Sequence, residues 1–146
     1  MSSFPSKLVT DTWIAFFSAH SDIFEFAQQA LKKQGCPPLS WYDTLWELDK
    51  VGEKGLRPYE LETLVLFHAQ YSVSRLLTRM EKDGYIKKVR CAEDGRGFRV
   101  VITDSGREIR SQMWLTYSQV INNALGNKLS DDECEQLKSL LYKLKN

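Results

Sequence analysis

The sequence predicts a mainly α-helical domain with one small β-hairpin, and three observations predict it. Apolar residues recur at helical spacing along most of the chain. Two Val- and Ile-rich runs, residues 86–91 and 98–102, flank a short charged stretch containing Gly95 and Gly97. The chain's 146 residues, 42% of them hydrophobic and 27% charged, suffice for one core and not for two.

Pro5 suits the first turn of a helix that runs to residue 34, before Gly35. Along it Val9, Trp13, Phe16, Ile23, Ala27 and Ala30 form one apolar row and Phe17, Phe24 and Leu31 a second, more surface than one helix buries against a small core. Pro37-Pro38 separates it from a short helix on which Ser40 and Asp43 resemble an N-terminal capping pair and Trp41, Leu45 and Leu48 face inward. A third helix starts near Arg57-Pro58 and is expected to turn Leu61, Leu64, Val65 and Phe67 inward. After a turn at His68-Ala69-Gln70, Val73, Leu76, Leu77 and Met80 fall at i, i+3, i+4 and i+7, a one-sided stripe that leaves Ser72, Ser74, Arg75, Thr78, Arg79 and Lys82 on the other side. Gly84 is placed to end that helix in the left-handed conformation. The hairpin follows, Thr103 or Asp104 caps a helix to about residue 125, and Ser130 with Glu133 forms a capping box for the last helix, striped by Leu137, Leu140, Leu141 and Leu144.

Composition removes several function classes. No apolar run approaches the roughly 20 residues that span a bilayer, and the N-terminal residues lack a basic stretch followed by an apolar one, so a cytoplasmic protein without membrane contact is expected. Cys36, Cys91 and Cys134 are odd in number and widely spaced, against a disulfide framework; His20 and His68 stand apart from any ligand-spaced partner, so no metal or cofactor is expected. No nucleophile elbow, phosphate loop or dinucleotide fingerprint is present, and no catalytic residue is assigned.

Charge is unevenly distributed. Residues 68–110 hold ten Lys or Arg against six Asp or Glu, an excess of four positive charges in a chain of formal net charge +1. A basic middle in an acidic frame suits a nucleic-acid contact. Two short helices joined by a turn, the second showing small polar and Arg side chains, with a basic hairpin directly after, is the order of a winged helix-turn-helix. Such a helix fits the major groove, and a glycine-flanked arginine on a hairpin tip fits the narrower, more negative minor groove. The candidate DNA-contacting residues are therefore Gln70, Tyr71, Ser72, Ser74, Arg75, Thr78 and Arg79 on or before the second helix, and Lys88, Asp94, Arg96 and Arg99 on the hairpin.

Three stretches carry a resemblance to a known family: Ser72-Val73-Ser74-Arg75-Leu76-Leu77-Thr78-Arg79-Met80-Glu81-Lys82-Asp83-Gly84-Tyr85-Ile86, then Asp94-Gly95-Arg96, then Ile102-Thr103-Asp104-Ser105-Gly106-Arg107. They resemble the recognition helix, the wing D-x-R and the following L-T-x-x-G-R of the MarR family of bacterial transcription regulators. Motifs cover roughly residues 40–110; Gly95 stands where the family often has a second Arg, and no cysteine precedes Cys36, where a redox branch of the family carries its sensing thiol. The resemblance implies a homodimer on a pseudo-palindromic operator in double-stranded DNA, often repressing, released by a small aromatic or phenolic effector. It implies a single domain over 1–146, with a winged core at 40–103 and dimerisation helices at 5–34 and 104–146. Trp13, Phe17, Tyr42 and Trp46 are the candidate effector-binding aromatics, since such sites are concave and apolar. The rival reading is a winged-helix module that binds another regulator and no DNA; the Ser, Thr, Arg and Lys exposed on residues 72–82 argue against it.

Overall fold

A computed structural model describes residues 3–65, 72–92 and 97–145. Six α-helices and one hairpin occur among them: α1 Lys7–Lys33, α2 Leu39–Val51, α3 Pro58–Leu64, α4 Val73–Lys82, β1 Ile86–Arg90, β2 Phe98–Ile102, α5 Asp104–Ile121 and α6 Asp131–Leu144. The chain divides into two compact units, one of Leu31–Thr116 and one of Met1–Ala30 with Tyr117–Asn146.

In the first unit, Leu45 and Leu48 of α2, Leu61 of α3, Leu76, Leu77 and Met80 of α4, and Ile86, Val100 and Ile102 of the hairpin form one buried cluster. The α4 stripe is inward as its spacing predicts, and Val73, its first member, packs half-buried against the cluster. Ser72 caps α4 by accepting the Arg75 N–H at 3.3 Å. The helix ends where Gly84 takes φ +83°, with the Gly84 and Tyr85 amides turned back onto the Glu81 and Met80 carbonyls. The strands pair antiparallel with Ile86 opposite Ile102, Lys88 opposite Val100 and Arg90 opposite Phe98. Leu56 adds a two-bond bridge to Val100, at 3.0 and 2.8 Å. Gly55 permits it: a Cβ there would lie 2.6 Å from the Val100 carbonyl oxygen.

Some local expectations change. Ser40 and Asp43 do not cap α2. The helix begins at Leu39 with extended Pro38 in the cap position, and Ser40 and Asp43 are buried inside it, because the Pro37-Pro38 pair already sets the turn. Leu64 faces outward, 41% exposed, while Val65 is buried, because α3 stops at Leu64 and Val65 is extended. The expected turn at 68–70 and the inward Phe67 lie outside the described residues. Helix α5 is α-helical only to Ile121; Asn122–Gly126 forms a π-helical turn.

In the second unit, α6 carries the expected capping box: Ser130 Oγ accepts the Glu133 N–H at 3.2 Å, and the Glu133 carboxylate accepts the Ser130 N–H at 3.0 Å. The Ser130 N–H, and after it the Ser130 side chain, hold the Glu133 carboxyl below its usual pKa. Much apolar surface remains uncovered. Leu8, Val9, Trp13, Ile14 and Phe17 of α1 and Leu140 and Leu144 of α6 are all exposed. A groove of about 350 Å³ lies between Leu125, Leu129, Leu137 and Leu141, with Lys138 and Lys145 at its edge. No described helix is long and apolar enough to cross a membrane.

Candidate nucleic-acid interface

With Leu76, Leu77 and Met80 buried, helical geometry leaves Ser72, Ser74, Arg75, Thr78, Arg79 and Lys82 exposed along one side of α4. Two hydroxyls there are already partly committed. Thr78 Oγ1 donates to the Ser74 carbonyl at 3.0 Å, leaving its lone pairs to accept, whereas Ser72 Oγ accepts the cap bond and keeps its proton to donate. Among these residues Arg75 carries the forked donor set that matches guanine O6 and N7, and Arg79 stands one turn further along. Gln70 and Tyr71 lie outside the described residues.

The hairpin divides the predicted wing contacts. Lys88 folds back on its own unit: its ammonium lies 4.9 Å from the Phe98 ring centre and 3.9 Å from Glu81, whose carboxylate also accepts the Lys88 N–H at 3.3 Å. Arg99 is half-buried and donates to the Lys54 carbonyl at 3.4 Å. Both residues brace the wing's base. Asp94 and Arg96, the predicted tip, lie outside the described residues. Lys87 and Arg90 are exposed on β1 and were not singled out from sequence; they belong to the same basic segment, and, lying three apart on opposite faces of a strand exposed from Lys87 to Arg90, they carried no alternation signal.

The four aromatics proposed for an effector fall in both units. Trp13 and Phe17 lie in the terminal unit, exposed, with ring centres 4.7 Å apart. Tyr42 and Trp46 lie in the winged unit, where Tyr42 is buried between Trp46 and Trp114, nearly parallel to both at 6.4 and 6.2 Å. Burial pushes the Tyr42 phenol's pKa up, against an opposing hydrogen bond from Arg110. Among the cysteines, Cys91 is buried and Cys36 half-buried, and desolvation raises the Cys36 thiol's pKa, which disfavours the reactive thiolate.

Comparison with known proteins places this geometry. The MarR family model matches residues 35–97. The HTH-type transcriptional regulator BilQ of Clostridioides difficile (strain CD3) is 27% identical over 115 residues, covering 64% of this chain and 77% of that protein. The backbone is similar to that of Sco3205, a MarR family transcriptional regulator from Streptomyces coelicolor solved in complex with DNA, with TM-score 0.84 at 19% identity over 99% of this chain and 89% of that one. It is also similar to an organohalide-sensing transcriptional regulator solved in its 2,4-dichlorophenol bound form, with TM-score 0.78 at 21% identity over 99% and 86% of the two chains.

Proposed function

Because the MarR family model matches residues 35–97, we propose that the protein is a DNA-binding transcription regulator of that family, a repressor that engages a pseudo-palindromic operator as a homodimer in the cytoplasm. One observation carries the reading: α4 buries its apolar stripe and exposes Ser72, Ser74, Arg75, Thr78 and Arg79 together, within the basic middle of the chain. Side chains of that kind on a helix make both phosphate and base-edge contacts. The exposed apolar surface of α1 and α6 supports dimerisation, since covering it with a second copy removes it from water at roughly 25 cal/mol per Å².

A small aromatic or phenolic molecule is proposed as the releasing effector, drawing on the dichlorophenol-bound relative and on two aromatic pairs, Trp13 with Phe17 in one unit and Tyr42 with Trp46 in the other. Such a molecule acts only through unequal affinity for the DNA-competent and DNA-incompetent conformations.

Selection of duplexes from a random pool by the full chain, followed by fluorescence anisotropy on the winning and scrambled duplexes, tests the reading. The expected result is a two-fold symmetric site bound roughly a thousandfold or more tighter than scrambled DNA. Equal binding to both, or none, favours the protein-binding module instead.

A further inference from the structure

Resting on the dimeric DNA-binding reading, we propose that Asp49 is a positioning residue for operator spacing, pinning the first two turns of α5 to the end of α2. Its two carboxylate oxygens go to two different arginines: Oδ1 lies 3.3 Å from Arg107 Nε and Oδ2 lies 2.8 Å from Arg110 Nε. The two arginines are three residues apart and so share one face of α5. A carboxylate attracted to two cations on one helix face opposes sliding of the two helices in either direction.

The surroundings reinforce the link. Arg107 is also paired with Asp104 at 2.8 Å, and the Arg110 guanidinium sits 5.3 Å from the ring centre of Trp46, one turn before Asp49 on α2. Arg110 is only 19% exposed and Asp49 24%, so water and salt screen this pair less than an ordinary surface pair. The seam thus runs over Tyr42, Trp46 and Asp49 on α2 against Arg107, Arg110 and Trp114 on α5. The Arg110 Nε makes no hydrogen bond despite its 2.8 Å approach to Asp49, so charge attraction between half-buried groups holds this seam.

The register of this seam matters because α5 is one continuous helix from Asp104 to Ile121, so holding its first two turns against α2 holds its direction there. Its start is also fastened to the end of α4, through the Thr103 hydroxyl on the Gly84 carbonyl. The direction of α5 is therefore set relative to the DNA-reading helix. In a dimer, half-site spacing mirrors such fixed geometry, and one base step is about 3.4 Å.

The test uses the full-length protein with its selected duplex and with versions carrying one or two extra base pairs between the half-sites. Wild type is expected to lose roughly tenfold in affinity for each insertion. Asp49→Asn, which keeps the shape and removes the charge, should bind scrambled DNA as wild type does while its loss per insertion falls to about twofold. Asp49→Glu should recover part of the discrimination. Arg107→Gln, which leaves the Asp49–Arg110 contact in place, should move in the same direction as Asp49→Asn and serves as the measurement should the latter fail to fold. A wild-type insertion penalty in a folded Asp49→Asn or Arg107→Gln protein overturns the inference and leaves the function standing. A wild type indifferent to insertion overturns the dimeric reading and this inference with it.

Discussion

The Thr103 hydroxyl donates a hydrogen bond to the Gly84 carbonyl at 2.6 Å, and the same oxygen accepts the Gly106 N–H at 3.0 Å. One side chain therefore caps α5 and fastens it to the residue that ends α4. The Thr103 amide adds a bond to the Tyr85 carbonyl at 3.1 Å, and a Cβ on Gly106 would collide with that same carbonyl oxygen. The threonine and glycine of the motif Ile102-Thr103-Asp104-Ser105-Gly106-Arg107 thus have structural reasons to be there, apart from any contact with DNA.

Thr103→Val keeps the shape and loses both hydroxyl bonds. It is expected to cost about 1–2 kcal/mol, a capping loss in a half-exposed position. Urea denaturation should show a lower midpoint with unchanged slope, and Thr103→Ser should restore most of it. An unshifted midpoint for Thr103→Val would show that the junction gains nothing from the hydroxyl.

Gly106→Ala and Gly84→Ala should differ in size for different reasons. At Gly84, with φ +83° and open space around a new Cβ, alanine meets only the left-handed backbone penalty, about 1–2 kcal/mol. At Gly106 the new methyl meets a backbone oxygen that is held by Thr103 and by a strand, and also Ile102 at 2.8 Å. Overpacking of that kind costs about 2–3 kcal/mol or more. Thermal melts of the two variants should rank Gly106→Ala as the less stable; the reverse order contradicts the packing described.

Arg75 and Arg96 should separate sequence reading from general affinity. Arg75→Ala is expected to cost roughly 1–3 kcal/mol on the selected duplex and to relax preference at one position in each half-site. Arg96→Ala, argued from its place between Gly95 and Gly97 in the sequence, should weaken binding to every duplex and lower the salt slope by about one per half-site. Anisotropy titrations at several salt concentrations decide it: equal losses on selected and scrambled DNA for Arg75→Ala would reassign that arginine to phosphate.

Acid should loosen the N-terminus of α6 through Glu133. Its carboxyl is held below the usual range by the Ser130 N–H and then by the Ser130 side chain, so the folded state favours the ionised form. A depressed folded pKa gives stability that is present above the unfolded value and is lost as pH falls through the folded value. Circular dichroism melts from about pH 6 to about pH 3 should therefore show a smaller decline for Glu133→Gln than for wild type. The group is exposed, so the difference is small. An identical pH profile in the two proteins removes Glu133 from the acid response.

Local chemistry made much of this protein legible. The period of Val73, Leu76, Leu77 and Met80 specified a helix and the face it buries, and with it the polar face offered to a partner. Gly84 and the Ser130–Glu133 box marked helix ends within a few residues of chain, where the hydrogen bonds that matter are also local. Only the tertiary structure decided the rest, because it rests on pairs far apart in sequence. Ser40 and Asp43 have the composition of a cap, yet Pro38 takes that position and burial draws them inward. Lys88 and Arg99 read as free cations until the fold brings Phe98, Glu81 and the Lys54 carbonyl beside them. Asp49 carries no signal in its neighbourhood of sequence. It acquires a role where α2 and α5 lie side by side and a single carboxylate meets two arginines about sixty residues away. Periodicity determines which face of a helix avoids water; which residues meet across that face is a property of the packed arrangement.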